Sequence, residues 1–358
     1  MSTTDTVESR ARLPVFNDER SWYGTAIAQR RDWFHELTPV ELAELDAAVD
    51  GALARGQDMV HMTDRDFSLP VLAPRLKDIR RNVLHGQGFV LLRGWPSIER
   101  SMAQNAMAFM GLGTHLGEPV SQNAKGHVLG HVANLGLDFK DPSSRGYQTN
   151  ADLSFHTDAG DIVGLLCIRP AREGGLSRIA SSTTVWNELV KRRPDLAEVL
   201  RTPYAHSRSG EIGEGQKRYF MLAPFQPHQG RMIAALVPAF IRKARAFEEV
   251  PPLTRAQTEA LKLVDTLASE PAIRLDMDFR PGDMQFLCNH SILHARTSYE
   301  DWPEVERRRH LLRLWLSSHD GPALPDNITS EFQGRTVSGR PNGVRVPGVP
   351  LNAPLDPA

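Results

Sequence analysis

The chain has 358 residues, and 42 Lys and Arg against 43 Asp and Glu leave a net charge of −1. That balance, with no long run of one sign, excludes the basic stripe of a nucleic-acid binder and gives no purchase on an anionic membrane surface. A small molecule is the expected partner.

The length suits one β-rich domain with helical decoration, and proteins of this size often pair as homo-oligomers. Cys167 and Cys288 each sit in an apolar run and read as small buried hydrophobes, not as a disulfide. The start, Met1-Ser2-Thr3-Thr4-Asp5-Thr6, is polar, and no run of eighteen apolar residues occurs, so the chain reads as cytoplasmic and not membrane-embedded. The expected organisation is an irregular arm over residues 1–37, a jelly-roll domain over 38–317 and an irregular tail over 318–358.

Along the chain, the arm carries Trp22 and Trp33. Thr38-Pro39-Val40-Glu41 then opens a helix: Thr38 caps, Glu41 closes a capping box, and Leu42, Leu45, Val49 and Leu53 share a face. A second helix is expected over about 73–85. Gly88 to Pro96 reads as a buried strand, and Ser97 as the cap of a helix reaching Met110. Polar loops follow around Gly117–His127 and Arg145–Asn150, where Asn123 and Gln148 are candidate substrate contacts.

Ile162–Ile168 is a core strand, and Leu176–Ser182 is another after the Glu173-Gly174-Gly175 turn. Thr184 is a candidate cap for the next helix, and Thr254-Arg255-Ala256-Gln257 is a second capping box. Leu275–Phe279 and Met284–Cys288 flank Arg280-Pro281-Gly282-Asp283, a turn that predicts a hairpin. Many short strands with helices at their flanks fit a mainly β, two-sheet jelly roll better than alternating βαβ units.

The chemistry concentrates around Phe155-His156-Thr157-Asp158. In extended backbone His156 and Asp158 project to one side. His294 is the candidate third ligand of a two-His-one-carboxylate set, which would suit iron(II) and leave positions open for substrates. Zinc with a bound water is the competing ion, which would make the site hydrolytic. His290, four residues before His294, reads as structural.

Near the end, Arg309, Leu311, Arg313 and Trp315 share one face of an extended run. Two guanidiniums on a largely apolar strand need anions, so this face either pairs with structural carboxylates or holds a dicarboxylate co-substrate. Trp315 reads as packing, and Arg296, beside His294, either orders the site or meets the substrate. His115, His127 and His131 read as hydrogen-bonded loop histidines.

Gly88-Phe89-Val90-Leu91-Leu92-Arg93-Gly94, Phe155-His156-Thr157-Asp158, Gly174-Gly175, Asn289-x4-His294-Ala295-Arg296-Thr297 and Arg309-x3-Arg313 occur in that order. Together, over about 85–317, they resemble the taurine dioxygenase-like family of iron(II)/2-oxoglutarate oxygenases. The resemblance implies a double-stranded β-helix of cupin-like jelly-roll form. It implies iron on His156, Asp158 and His294, and the far carboxylate of 2-oxoglutarate on Arg309. Arg313 matches a second arginine that assists the co-substrate or meets an anionic substrate. Ser177 stands where a threonine often helps the co-substrate, and is shorter by a methyl.

The reaction so implied consumes dioxygen and decarboxylates 2-oxoglutarate to succinate and carbon dioxide. It abstracts hydrogen from a small organic substrate, giving hydroxylation or desaturation. Related halogenases carry a small residue in place of the carboxylate, so Asp158 argues against halogenation. The rival readings are a zinc-dependent hydrolase on a jelly roll and a non-catalytic protein that binds a small acid.

Overall fold

The structure, a computed structural model, describes residues 13–137, 145–212 and 215–357. The first twelve residues of the arm, and residues 138–144 and 213–214, lie outside the described residues. Two mainly antiparallel sheets face each other across an apolar layer.

The larger has seven strands, in the order Phe34–Glu36, Phe89–Arg93, Met284–Cys288, Ile162–Arg169, His310–Ser317, Glu118–Pro119, with Leu129–Val132 also on the His310–Ser317 strand. Only the first pair is parallel. The smaller sheet runs Arg274–Met277, Ser177–Ser181, Ile292–Arg296, Leu153–His156. This is the mainly β jelly roll, with helices on its outer faces.

The large sheet is covered on both faces, which is why its strands read as continuous apolar runs. On the inner side Phe89, Leu91, Val163, Leu287 and Leu311 meet Ile179, Leu275 and Ile292 of the small sheet. On the outer side Val90, Leu92, Phe286, Leu312, Leu314 and Leu316 pack against the helices Pro39–Ala54, Ala73–His85 and Met102–Thr114. The small sheet is backed by the helices Ser182–Arg192, Pro194–Leu200 and Arg255–Ala268. No helix among the described residues is long and apolar enough to cross a membrane.

Capping boxes form at Thr38/Glu41 and Thr254/Gln257. Ser97 is not a helix cap: its hydroxyl donates to the Cys167 and Ile168 carbonyls, and Ser101 caps the helix Met102–Thr114 through a box with Gln104. Ser181, not Thr184, caps the helix Ser182–Arg192, and the Thr184 hydroxyl donates to the Trp22 carbonyl.

The expected hairpin over 275–288 is also absent. Arg274–Met277 pairs with Ser177–Ser181 in the small sheet and Met284–Cys288 joins the large one. The Arg280–Asp283 turn carries the chain between them, because buried Asp283 is gripped by Arg93 at 2.7 Å through both oxygens. The arm is less irregular than expected: Gly24–Ile27 is helical and Phe34–Glu36 is an edge strand. The tail bridges to Ser121 and His127 and includes a helical stretch, Ile328–Gln333.

Candidate metal centre and co-substrate chamber

His156 and His294 stand directly opposite each other on adjacent strands of the small sheet. Their rings are 4.3 Å apart between centroids. Asp158 follows on the loop after His156, with Oδ1 4.0 Å from His156 Nε2 and Oδ2 3.7 Å from His294 Nε2. The three ligand atoms lie within 4.8 Å of one another, a spacing that one metal ion bridges. No other group of three His, Cys, Asp or Glu among the described residues does so.

The surroundings prepare these groups as ligands. His156 Nδ1 donates to the Ser154 carbonyl at 2.9 Å, which leaves Nε2 bare. Burial, reinforced by neighbouring His294, pulls the His156 pKa down to about 4, so the imidazole is neutral at physiological pH. For Asp158, burial favours the acid, but the Arg313 guanidinium and His294 outweigh it and hold the carboxyl below the usual range. Arg313 Nη1 and the Trp315 indole N–H both donate to Asp158 Oδ2, at 3.1 and 2.9 Å. Asn289 accepts from the Asp158 amide at 2.7 Å and donates to its carbonyl at 2.9 Å. Backbone and carboxylate are thus both held.

Arg313 is itself fixed: its Nε donates to Gln122 Oε1 at 2.7 Å, and Tyr147 and Trp315 lie 4.7 Å from its guanidinium carbon. Arg309 is different. It is 5% exposed, forms no ion pair among the described residues, and its Nη1 has no hydrogen-bond partner. Nearby Arg296 gives Nη2 to the Thr149 and Ala151 carbonyls, while its Nε and Nη1 are also unpartnered. Both guanidiniums lie within 5 Å of the Tyr299 ring. Burial, with Arg309 adding repulsion, pulls the Arg296 pKa down to about 10. Two buried cations with no direct ion pair among the described residues, and with the carboxylates of Asp301 and Asp152 only nearby, leave a chamber that favours an anion.

That inner chamber, about 60 Å³, is walled by Ser177, Arg296, Arg309, Leu311, Phe279, His156, Asp158 and His294. Gly175 lets Arg309 sit there: with φ +70, a Cβ on it would stand 3.0 Å from Arg309 Nε. An outer chamber of about 330 Å³ meets it at His156, Asp158, Tyr147 and Arg313. It opens past Trp315, Phe240, Arg145 and Arg242. A larger groove, about 1350 Å³, lies elsewhere between the arm and the helix Ser182–Arg192, away from these groups.

Of the residues singled out in the sequence, His156, Asp158, His294, Arg309, Arg313, Ser177 and Arg296 are brought together. Arg296 belongs to the inner chamber beside Arg309 and makes no salt bridge among the described residues. Asn123 and Gln148 line a separate side cavity and engage the backbone amides of Lys125 and Arg145. Their neighbours Gln122 and Tyr147 reach the chamber at His156 and Asp158, and Tyr147 lines the side cavity as well. His290 bonds Asp161, His115 meets the Phe67 carbonyl, and His131 meets His310. Sequence reasoning missed Gln122, Tyr147 and Tyr299. Trp315 carried a usable signal, since the strand alternation sets it on the Arg309 face.

A jelly roll that gathers two histidines, one carboxylate and a chamber of arginines without direct ion pairs defines a non-haem metal oxygenase class, and residues 53–315 match the family of taurine catabolism dioxygenases, TauD and TfdA. The chain belongs to that family. It is an iron(II)- and 2-oxoglutarate-dependent oxygenase, and zinc hydrolysis is the disfavoured alternative.

Among relatives, it is 30% identical over 312 residues to the taurine hydroxylase-like protein SAT17 of Stachybotrys chartarum, covering 83% of this chain and 78% of that one. It is 26% identical over 329 residues to FR-33289 synthase of Streptomyces rubellomurinus, covering 89% and 95%. The fold matches that of an asparagine oxygenase solved with Fe(II), 3-hydroxyasparagine and succinate. The TM-score is 0.62 at 16% identity, over 87% of this chain and all of the other.

Proposed function

We propose that His156, Asp158 and His294 hold iron(II), and that the inner chamber holds 2-oxoglutarate with its far carboxylate on Arg309. The observation that carries this reading is the buried Arg309 guanidinium, which ion-pairs with no carboxylate among the described residues and leaves Nη1 without a partner, while the neighbouring Asp301 accepts from the Arg309 backbone amide. Arginine stays charged when buried and forks onto a carboxylate, so a dicarboxylate reaching from the metal supplies the missing charge. Ser177, on the strand position opposite Arg296, adds a hydroxyl to the same chamber. Arg313 and Trp315 orient Asp158 and do not themselves grip the co-substrate. Bound iron and 2-oxoglutarate supply the oxidising chemistry.

The primary substrate then occupies the outer chamber, against Tyr147, Phe240 and Trp315. Arg242 lines it without an ion-pair or hydrogen-bond partner among the described residues, which favours a small organic molecule with an anionic group. Asp152 lines the same chamber, so a cationic group elsewhere in that molecule is accommodated.

The test is steady-state formation of succinate from 2-oxoglutarate with iron and dioxygen. Arg309→Ala is expected to raise KM for 2-oxoglutarate on the order of 100-fold, the scale for truncating one side of a buried charge pair. An unchanged KM removes Arg309 from the co-substrate site.

A further inference from the structure

The metal-ligating carboxylate is braced from a part of the chain outside the family match, which stops at residue 315. Asp161, three residues after Asp158, is 0% exposed. Arg340, from the tail, forks onto it: Nε meets Oδ2 at 3.0 Å and Nη2 meets Oδ1. His290 Nε2 lies 3.0 Å from Oδ1, and the Ser318 amide donates to Oδ2 at 2.9 Å. The intervening loop is short and already clamped on one side, because Asn289 bonds Asp158, Gly160 and, through its amide, Asp161.

A second contact reaches the other support of Asp158. Gly343 bridges Ser121, the Val344 amide donates to the Ser121 carbonyl at 2.8 Å, and Ser121 precedes Gln122, whose carbonyl oxygen fixes Arg313. The approach there is so close that a Cβ on Gly343, at φ +63, would stand 2.2 Å from the Ser121 carbonyl oxygen. The tail from Ser318 to Val344 therefore touches both chains of bonds that end on the metal-ligating carboxylate.

We propose that this C-terminal strap sets the position of Asp158 for metal binding, with Arg340 as a positioning residue acting through Asp161. The inference rests on the triad being the iron site. A buried carboxylate held by four donors is fixed in place, and taking away the two from Arg340 leaves it on His290 and the Ser318 amide alone, which frees the Asp158–Asp161 loop to shift. Outer hydrogen-bond partners of metal ligands affect metal affinity in this way.

The experiment is anaerobic titration of the full chain with iron(II) at saturating 2-oxoglutarate, following the visible charge-transfer band. Arg340→Gln is compared with wild type and with Arg335→Gln. Arg335 lies on the same strap but pairs with Asp326 and Thr329. Arg340→Gln is expected to raise the iron Kd on the order of 10-fold, with Arg335→Gln unchanged. A strap that only stabilises would lower the melting temperature of both and leave Kd alone.

Folded Arg340→Gln with wild-type Kd overturns the proposal while leaving the oxygenase reading intact; no band in wild type overturns both. If Arg340→Gln does not fold, Arg340→Lys, which keeps the charge and loses the fork, is read in the same titration. A Kd raised a few-fold supports the strap, and a wild-type Kd overturns it.

Discussion

Asp158 depends on two donors of different kinds, a guanidinium that is also held by Gln122 and an indole that is held by packing. Trp315→Phe separates them, since it keeps an aromatic ring beside Arg313 and deletes only the 2.9 Å N–H bond to Oδ2. Iron affinity is expected to fall on the order of 10-fold, the usual cost of losing an outer partner of a ligand. Anaerobic iron titration checks it, and unchanged affinity would assign the indole to packing alone. The alternation of the strand shows in the sequence that Trp315 shares the face of Arg309 and Arg313. What the indole bonds is not local information, because Asp158 lies 157 positions away. The His156, Asp158 and His294 set was legible because residue type and spacing carry the chemistry directly. Asn123 and Gln148 were not separable from Gln122 and Tyr147, because in polar loops the sequence does not show which neighbouring side chain reaches the chamber at His156 and Asp158.

At the scale of the element, the strand His310–Ser317 divides its work between two faces. Arg313 and Trp315 point at the site, while Leu312, Leu314 and Leu316 are 0% exposed against the helical layer. Leu314 packs so closely on the helix Met102–Thr114 that a Cβ on Gly113 would stand 2.8 Å from its Cδ1. Leu314→Ala is expected to lower the unfolding free energy by about 3 kcal/mol, within the range for buried leucine truncations. Urea unfolding measures this, and KM for 2-oxoglutarate should hardly move, because the change is on the face away from Arg313. A large rise in KM with little loss of stability would contradict the division. The strand itself was legible as an apolar run. The Arg280–Asp283 turn misled, since Pro-Gly chemistry specifies a reversal of the chain but not which sheet receives the next strand. That choice is made by the distant Arg93 pairing with Asp283.

For the whole molecule, folding buries neutral histidines that the unfolded chain would charge, among them His206 on a separate two-stranded sheet of Tyr204–Ser207 and Tyr219–Leu222. His206 is 0% exposed, donates Nδ1–H to the Tyr204 carbonyl and has no partner at Nε2. Burial pulls its pKa from 6.5 to about 4. As pH falls below 6.5 the unfolded chain takes up this proton first, so stability is intact above that value and declines down to about 4, by up to roughly 3 kcal/mol. Urea unfolding of wild type and His206→Leu at several pH values between 7.5 and about 4.5 is expected to show a shallower decline in the variant. Equal slopes would contradict it.

The central claim joins both sheets: the small one supplies the two imidazoles and the large one the arginine that answers the co-substrate. Its most direct test is anaerobic addition of iron(II) and then 2-oxoglutarate to metal-free protein, with Arg309→Ala beside wild type. The account predicts a visible charge-transfer band in wild type and, in the variant, a band reached only at much higher 2-oxoglutarate. No band from folded, iron-loaded wild type, or equal 2-oxoglutarate dependence in both proteins, would contradict it.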